Sequence, residues 1–171
     1  VGLAPGAHGS NRTGRMFTGD ASGDFLYSAL YQAGFASQAH AWDRTDGLQL
    51  KTLYISAVCR CAPPDNKPTP DEIQRCLPYL QREMDLLKPE GIVCLGRIAF
   101  DWVLKITRDR SAIPIRLNFE HGKFYPLGDG LPWLIASYHP SRQNTQTGRL
   151  TVTMFAEVWK RVRLLCDTAG S

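Results

Sequence analysis

The chain has 171 residues, of which 43% are hydrophobic and 21% charged, and its formal net charge is +4. This balance predicts one globular domain over residues 1–171 with enough apolar side chains for a core, and no apolar run approaches the roughly 20 residues that span a bilayer. Five cysteines are too few for a disulfide scaffold, and the opening VGLAPG lacks the features of a secretory signal. We therefore expect a cytoplasmic protein, whose basic excess is compatible with a polyanion partner.

Short apolar runs alternate with helical stripes along the chain. Strands are predicted at residues 53–58, 91–95 and 133–137, and edge strands at residues 113–117 and 124–127, the latter followed by a turn at 128–130. Helices are predicted at residues 22–32 with Ser22 as the cap, at 70–87, at 96–106 and after residue 149, with Val152, Phe155, Trp159, Val162 and Cys166 facing inward in the last one. This alternation predicts an α/β domain with a mainly parallel sheet.

Residues 2–20, GLAPGAHGSNRTGRMFTGD, form a glycine-rich loop without helical or strand periodicity. Such glycines favour a loop whose amide groups approach an anion or a flat polar ligand. From Gly9 the glycine spacing is that of a P-loop, but Arg15 and Met16 stand where Lys and Ser/Thr are required, so neither Mg²⁺ nor a nucleotide cofactor is expected. Asp20, at the end of the loop, can orient a water or stabilise a developing cation; the alternative is a helix cap.

The residues after the last predicted strand carry a second group of polar side chains. His139 is placed as a general acid or hydrogen-bond donor would be, with a structural histidine as the alternative. Residues 141–149 are rich in the amide, hydroxyl and guanidinium groups that contact phosphates and base edges, although a solvated loop has the same composition. The DNA-contact candidates are Arg12, Arg15, Ser141, Arg142, Gln143, Asn144, Gln146, Thr147 and Arg149.

Two further features have open readings at this level. Phe17 is the single aromatic in the glycine-rich loop, where it serves as a stacking platform for a base or as a plug into the core. Cys61 and Cys76 are too far apart for a redox pair, and they either ligate half of an iron–sulfur cluster or are free thiols. Because loops 2–20, 59–69 and 139–149 each follow a strand, they are expected to share one edge of the sheet.

Three motifs together, GLAPGAHGSNRTGRMFTGDASG, CAPPDNKPTP with Cys76 following, and HPSRQNTQTGR, resemble those of the family 5 (B-type) uracil-DNA glycosylases. The resemblance spans the chain in the right order. It implies a three-layer α/β/α fold with a central, mainly parallel four-stranded sheet. It also implies a base-excision-repair enzyme of the bacterial or archaeal nucleoid that removes uracil, and other deaminated bases such as hypoxanthine, from double-stranded DNA by base flipping. The sequence does not indicate an oligomeric state, and a monomer is the default expectation. The alternative from another class is a module that binds uracil or abasic DNA without cutting it.

The resemblance also implies roles for individual residues. Asp20 matches the water-handling carboxylate, since Leu3 and Ala4 fill the places where related families carry an acid. His139 matches the histidine that hydrogen-bonds the leaving base, and Phe17 the aromatic that stacks on it. Base contacts are further expected from Gly6, Ala7 and His8, and a second polar active-site group from Asn66.

Two departures from related sequences carry further expectations. Ala57 stands where family 4 places a base-reading asparagine, which implies looser base selection. Family 5 members hold a [4Fe–4S] cluster through four cysteines, of which Cys61 and Cys76 match two. Because the chain opens without Met in a functional loop, we expect an N-terminal segment with part of the sheet and the other two cysteines to precede it.

Overall fold

The structure is a computed structural model that describes residues 1–111, 115–128 and 130–169. Its elements in chain order are α1 (Ser10–Thr13), α2 (Ala21–Gln32), a 3₁₀ turn (Pro64–Asn66), α3 (Pro70–Leu87), β1 (Gly91–Leu95), α4 (Arg97–Asp109), β2 (Phe124–Tyr125), β3 (Trp133–Ser137), α5 (Arg142–Gln146) and α6 (Val152–Ala169). The chain divides into two compact units, a first unit of residues 1–5 and 55–139 and a second unit of residues 6–54 and 140–171. Each unit therefore combines segments that are distant in sequence.

The sheet of the first unit has the strand order β1-β3-β2. β1 and β3 run parallel from the pair Gly91–Trp133 to the pair Leu95–Ser137, whereas β2 is antiparallel to β3. The α/β class is confirmed, but the sheet among the described residues is a small mixed one with three strands, not the predicted four-stranded, mainly parallel sheet.

Backbone hydrogen bonds continue this ladder beyond β1 in the parallel sense. Residues 1–3 bond to β1 on one side and to residues 56–59 on the other. The bonds are Val1 N to Val93 O, 2.7 Å, Leu95 N to Val1 O, 2.8 Å, Gly2 N to Ser56 O, 2.9 Å, Val58 N to Gly2 O, 3.0 Å, and Cys59 N to Leu3 O, 2.8 Å. The strand predicted at 53–58 is thereby reduced to an isolated bridge between Gly2 and Ala57, because Cys59 N–H bonds to Leu3 O and Arg60 N–H to Cys76 Sγ, which breaks the two-residue alternation of a ladder.

The two helices of the first unit begin where the sequence predicts. Thr69 caps α3 in a capping box with Glu72, and Pro70 occupies the first turn, which together satisfy free N–H groups at the helix start. α4 follows β1 after Gly96, a residue with φ of +102° that suits glycine. Apolar side chains of α3, α4, β1 and β3 form the core of this unit: Ile73, Leu77, Leu80, Met84, Ile92, Phe100, Val103, Leu104, Leu134 and Ala136.

The edge strand predicted at 113–117 lies partly outside the described residues, as does Asp129 of the predicted turn. Residues 115–117 belong to no strand. The carbonyl of Ile115 instead accepts a hydrogen bond of 2.6 Å from Arg108 Nε, so it is used by a side chain of α4 and not by a sheet ladder.

The second unit is built on the packing of α2 against α6. Phe155 and Trp159 on α6 pack against Phe25 and Phe35, with ring centroids 5.4 and 6.1 Å apart. Val152 was predicted to face inward but is 64% exposed, because it is the first residue of α6 and lies before the buried stripe begins. No helix among the described residues is long and apolar enough to cross a membrane.

Candidate active site

Asp20 is fixed at the start of α2 in the second unit. Its backbone is extended, and its side chain accepts a hydrogen bond from the N–H of Gly23 at 3.0 Å through Oδ1. Asp20, and not Ser22, is therefore the N-cap of this helix, because the helix begins one residue earlier than predicted. The cap uses one carboxylate oxygen and leaves Oδ2 for other chemistry, so the two readings of Asp20 are compatible.

The second oxygen of Asp20 lies against the backbone of the glycine-rich loop. A Cβ atom built on Gly9 would be 2.0 Å from Oδ2, and one built on Gly6 would be 3.2 Å from it. Any side chain at Gly9 would displace the carboxylate. The glycines thus make room for Asp20, while Ala7 and His8 between them are exposed at a turn.

Phe17 is 4% exposed and has φ of +54°, a left-handed conformation that is an outlier for a bulky residue. Its N–H donates to Ser10 Oγ at 2.8 Å. Its carbonyl oxygen lies so close to α2 that a Cβ on Gly23 would approach it to 1.9 Å. Strained backbone of this kind persists where the surroundings hold it and often marks functional sites. The burial of Phe17 agrees with a plug into the core. Its strained backbone agrees with a ring that is held in one orientation.

Arg15 is held within the protein by Asp46. Its Nη1 and Nη2 donate to the two carboxylate oxygens of Asp46 at 2.9 and 2.6 Å, and its Nε donates to Thr18 Oγ1 at 2.9 Å. The guanidinium hydrogen bonds to Asp46 hold the pKa of that carboxyl well below its usual range. Arg15 therefore braces the loop from within, whereas Arg12 is exposed and keeps its charge at the surface.

The polar segment 141–149 contains the short helix α5, which the sequence did not predict. Ser141 caps α5 through its hydroxyl, which accepts from Asn144 N–H. Leu150 anchors the end of the segment, since it is fully buried and its N–H donates to Asn144 O at 3.0 Å. Most of the predicted DNA-contact side chains here are exposed: Arg142, Gln143, Gln146, Thr147 and Arg149.

His139 lies two residues beyond the end of β3 in the first unit. Its Cβ is 3.4 Å from where a Cβ on Gly96 would lie, and Gly96 N–H donates to Ser137 O at 2.7 Å. The parallel direction of the paired segments brings Pro5, Cys59, Gly96 and His139 to the same edge of the sheet. Loops 2–20, 59–69 and 139–149 were predicted to share one edge of the sheet, and the residues at which they leave the sheet do share it.

Asn66 belongs to the first unit and is exposed at the end of the 3₁₀ turn. It and Asp65 have φ of +56° and +52°, and such left-handed pairs of Asn and Asp are local, turn-specific features. Asp20 and Phe17 lie in the second unit, and His139 and Asn66 in the first.

Comparisons with known proteins identify the family of the chain. The family described as the uracil DNA glycosylase superfamily matches residues 1–163. The chain belongs to the uracil-DNA glycosylase superfamily.

Among curated relatives, the type-5 uracil-DNA glycosylase of Thermus thermophilus is 52% identical over 166 residues, which cover 96% of this chain and 73% of the relative. The type-5 enzyme of Pyrobaculum aerophilum is 44% identical over 161 residues, covering 94% and 68%. That of Mycobacterium tuberculosis is 46% identical over 167 residues, covering 96% and 61%. The resemblance to family 5 is thereby confirmed.

Of the four cysteines that the resemblance implies as cluster ligands, Cys61 and Cys76 are the two matched in this chain. Cys61 is exposed and Cys76 half-buried, and Arg60 N–H lies 3.5 Å from Cys76 Sγ. Burial raises the pKa of Cys59, two residues before Cys61, to about 11. The described residues contain no group of three or more His, Cys, Asp or Glu side chains arranged to hold a metal. The residues present do not fit a complete [4Fe–4S] site.

Sequence reasoning missed one residue of this glycosylase site, Asp46. It lies 31 residues from its partner Arg15 in a polar segment, where composition gives no sign of burial. A single signal was available: Asp46 precedes Gly47, a pair typical of a tight turn, but nothing in the sequence shows which cation such an aspartate binds.

Proposed function

We propose that the chain hydrolyses the N-glycosidic bond between uracil and deoxyribose in DNA. The proposal is carried by the position of Asp20. One of its carboxylate oxygens caps α2, and the other lies against the glycine-rich loop. Family membership supports it, since the relatives are named uracil-DNA glycosylases. Glycoside hydrolysis uses a charged carboxylate that is held beside the sugar.

In the proposed reaction the target nucleotide leaves the base stack, at a cost that is least for a mispaired base such as uracil opposite guanine. The bond from C1′ to the base nitrogen then breaks, and its electron pair leaves with the base. His139 donates a hydrogen bond to the departing base and offsets this charge. Asp20 stabilises the positive charge on the sugar and orients a water, whose oxygen adds to C1′ and whose proton passes to the carboxylate.

The remaining site residues bind and orient the base. Phe17 stacks on the flipped uracil, because its strained backbone fixes the ring, and Asn66 and the amide groups of residues 6–8 contact its polar edge. Family 4 has an asparagine at the position of Ala57. The small side chain of Ala57 offers no hydrogen bond to the polar edge of the base, so base selection is less strict. We therefore extend the proposal to hypoxanthine and other deaminated bases, which differ from uracil at that edge.

DNA binding is assigned to the exposed groups of the second unit. Arg12 and Arg142 pair with phosphates, and the other side chains of residues 141–149 enter the space that the flipped nucleotide leaves in the duplex. Arg15 is omitted from this set because its charge is already paired with Asp46. The enzyme is proposed to act as a monomer on double-stranded DNA, in the cytoplasm and at the nucleoid.

The test is single-turnover release of uracil from a G:U duplex by the wild type and by Asp20→Asn. Asparagine keeps an oxygen that can cap α2, so the variant removes the charge and leaves the helix start. We expect the rate to fall on the order of 10²-fold or more. Asp24→Asn is the matched control, since it removes the same charge from the exposed first turn of the same helix and should leave the rate unchanged.

Equal rates for the wild type and Asp20→Asn would keep the glycosylase class but refute the role of Asp20. If the wild type binds the G:U duplex and releases no base, the non-catalytic lesion-binding function replaces the proposal. Release of hypoxanthine from the corresponding duplex tests the wider range of bases, and its failure limits the substrate to uracil.

A further inference from the structure

The segment of residues 40–46 presents an exposed pair of stacked rings in the second unit. Trp42 is 62% exposed, although tryptophan buries a large apolar surface in most proteins. The imidazole of His40 stacks on its indole with ring centroids 5.6 Å apart and an interplanar angle of 17°. We call these two rings the Trp42 platform. A large aromatic left in solvent with one face already stacked has its other face available for a flat ligand.

The backbone beneath the platform is held in place. Asp46 accepts a hydrogen bond from Trp42 N–H at 2.8 Å and one from Leu48 N–H at 3.0 Å. The same carboxylate binds Arg15 and is 4% exposed. Ala41, next to Trp42, is buried. The platform therefore stands on a fixed turn, which reduces the entropy lost when a ligand stacks on it.

The platform also lies beside the proposed catalytic loop. Gly19, the residue before Asp20, donates its N–H to Ala41 O at 3.1 Å, and a Cβ on Gly19 would be 3.5 Å from Trp42 O and 2.9 Å from a terminal nitrogen of Arg12. Arg44 is exposed, and its Cδ would lie 4.0 Å from a Cβ on Gly14. Arg12 thus lies next to Gly19, whose N–H bonds to the residue before Trp42, and Arg44 belongs to the same segment as the platform.

The segment contains a second aspartate, Asp43, besides Asp46. Asp43 is exposed, and its carboxylate accepts from Thr45 N–H at 2.6 Å and from Thr45 Oγ1 at 2.8 Å. These hydrogen bonds lower the pKa of Asp43, so it is charged at neutral pH. Its carboxylate is therefore hydrogen-bonded within its own segment, which also contains the exposed Arg44.

We propose that the Trp42 platform stacks on an unpaired base of the DNA substrate. Exposed aromatic rings with neighbouring arginines are the recurring means of binding single-stranded nucleic acid, since every base has a π-face and every nucleotide a phosphate. The flipped-out state of the substrate supplies such bases at and beside the lesion. The inference rests on the proposed function for the identity of the DNA, and it adds a contact outside the base pocket.

The test measures binding of a uracil-free oligothymidylate of about ten nucleotides and of a fully paired, uracil-free duplex. The proteins are the wild type, Trp42→Ala, Trp42→Phe and, as the matched control, Tyr79→Ala, which removes an equally exposed ring (62%) from α3. We expect Trp42→Ala to weaken oligothymidylate binding by about 5- to 100-fold, Trp42→Phe to restore most of it, and Tyr79→Ala to leave it unchanged. Binding of the paired duplex should change little.

Two results would overturn the inference. One is equal affinity of the wild type and Trp42→Ala for oligothymidylate. The other is an equal loss for oligothymidylate and paired duplex, which would place the ring against the sugar–phosphate backbone. Because both probes lack uracil, these results are independent of catalysis. Absence of uracil release by the wild type would refute the proposed function and leave the stacking measurement intact.

Discussion

The ion pair of Arg15 and Asp46 offers a quantitative test of how the glycine-rich loop is held. The perturbation is Asp46→Ala. It removes two bonds to the guanidinium, at 2.9 and 2.6 Å, together with the acceptor for Trp42 N–H and Leu48 N–H. The remaining Arg15 side chain is 20% exposed, so water can solvate only part of its charge.

The magnitude follows from what the substitution leaves behind. Breaking a buried pair by removing one partner costs about 3–5 kcal/mol, and the partial exposure of Arg15 lowers this value. We expect the free energy of unfolding to fall by about 2–4 kcal/mol. The matched control is Glu120→Ala, which breaks a pair of similar length, 2.6 Å to Lys123, between exposed groups and should cost about 0–1 kcal/mol.

The assay is equilibrium unfolding in urea, repeated over a range of pH with Asp46→Asn beside the wild type. The folded state lowers the pKa of Asp46, so its contribution is complete above the unfolded carboxyl pKa of about 4 and is lost as the pH falls further. The difference between wild type and variant should therefore be constant above about pH 5 and shrink in acid. A cost for Asp46→Ala no greater than that for Glu120→Ala would refute the bracing role.

Three further substitutions test other parts of the structure. Gly9→Ala places a Cβ 2.0 Å from Asp20 Oδ2 and should lower single-turnover uracil release on the order of 10²-fold, while unfolding in urea shows the fold retained. Arg142→Ala should reduce the slope of log affinity against log salt by about 1, whereas exposed Arg97→Ala should not change it. Gly91→Ala places a Cβ 2.0 Å from the ring of Trp133, its partner on β3, and should lower the free energy of unfolding in urea by about 1–3 kcal/mol. An unchanged free energy of unfolding would show that the ring turns aside and would contradict this prediction.

Local signals predicted the helices and strands whose ends are set by their own residues. The capping box at Thr69 and Pro70 predicts the start of α3. The bounds of β1 and β3 coincide with short apolar runs, which Gly96 ends in β1 and Pro132 precedes in β3. Such signals act over a few residues, so they can be read without knowledge of the fold. The segment at 53–58 shows the limit, because its pairing depends on residues 1–3, which are far from it in sequence.

The residues of the candidate site stay a prediction from motifs, and the residues that support them were not predicted. Asp20 and His139 were recognised from motifs, but the contact between Asp46 and Arg15 joins segments far apart in sequence, and no period or composition encodes it. The helix α5 escaped prediction for a related reason, since its polar residues carry no apolar stripe and its order depends on the Ser141 cap and on Leu150.

The glycines that give the loop the spacing of a P-loop have a different role in this structure. A P-loop needs its glycines so that backbone N–H groups can surround a phosphate. Here Gly9 is required because the carboxylate of Asp20 occupies the space beside it, and Gly14 ends α1 with φ of +72°. A triphosphate in this position would meet the carboxylate that caps α2, and Arg15 stands where a P-loop has its lysine. The same geometry suits a sugar that becomes positively charged as its base departs, so the arrangement that disfavours a nucleotide phosphate is the one that favours cleavage of a glycosidic bond.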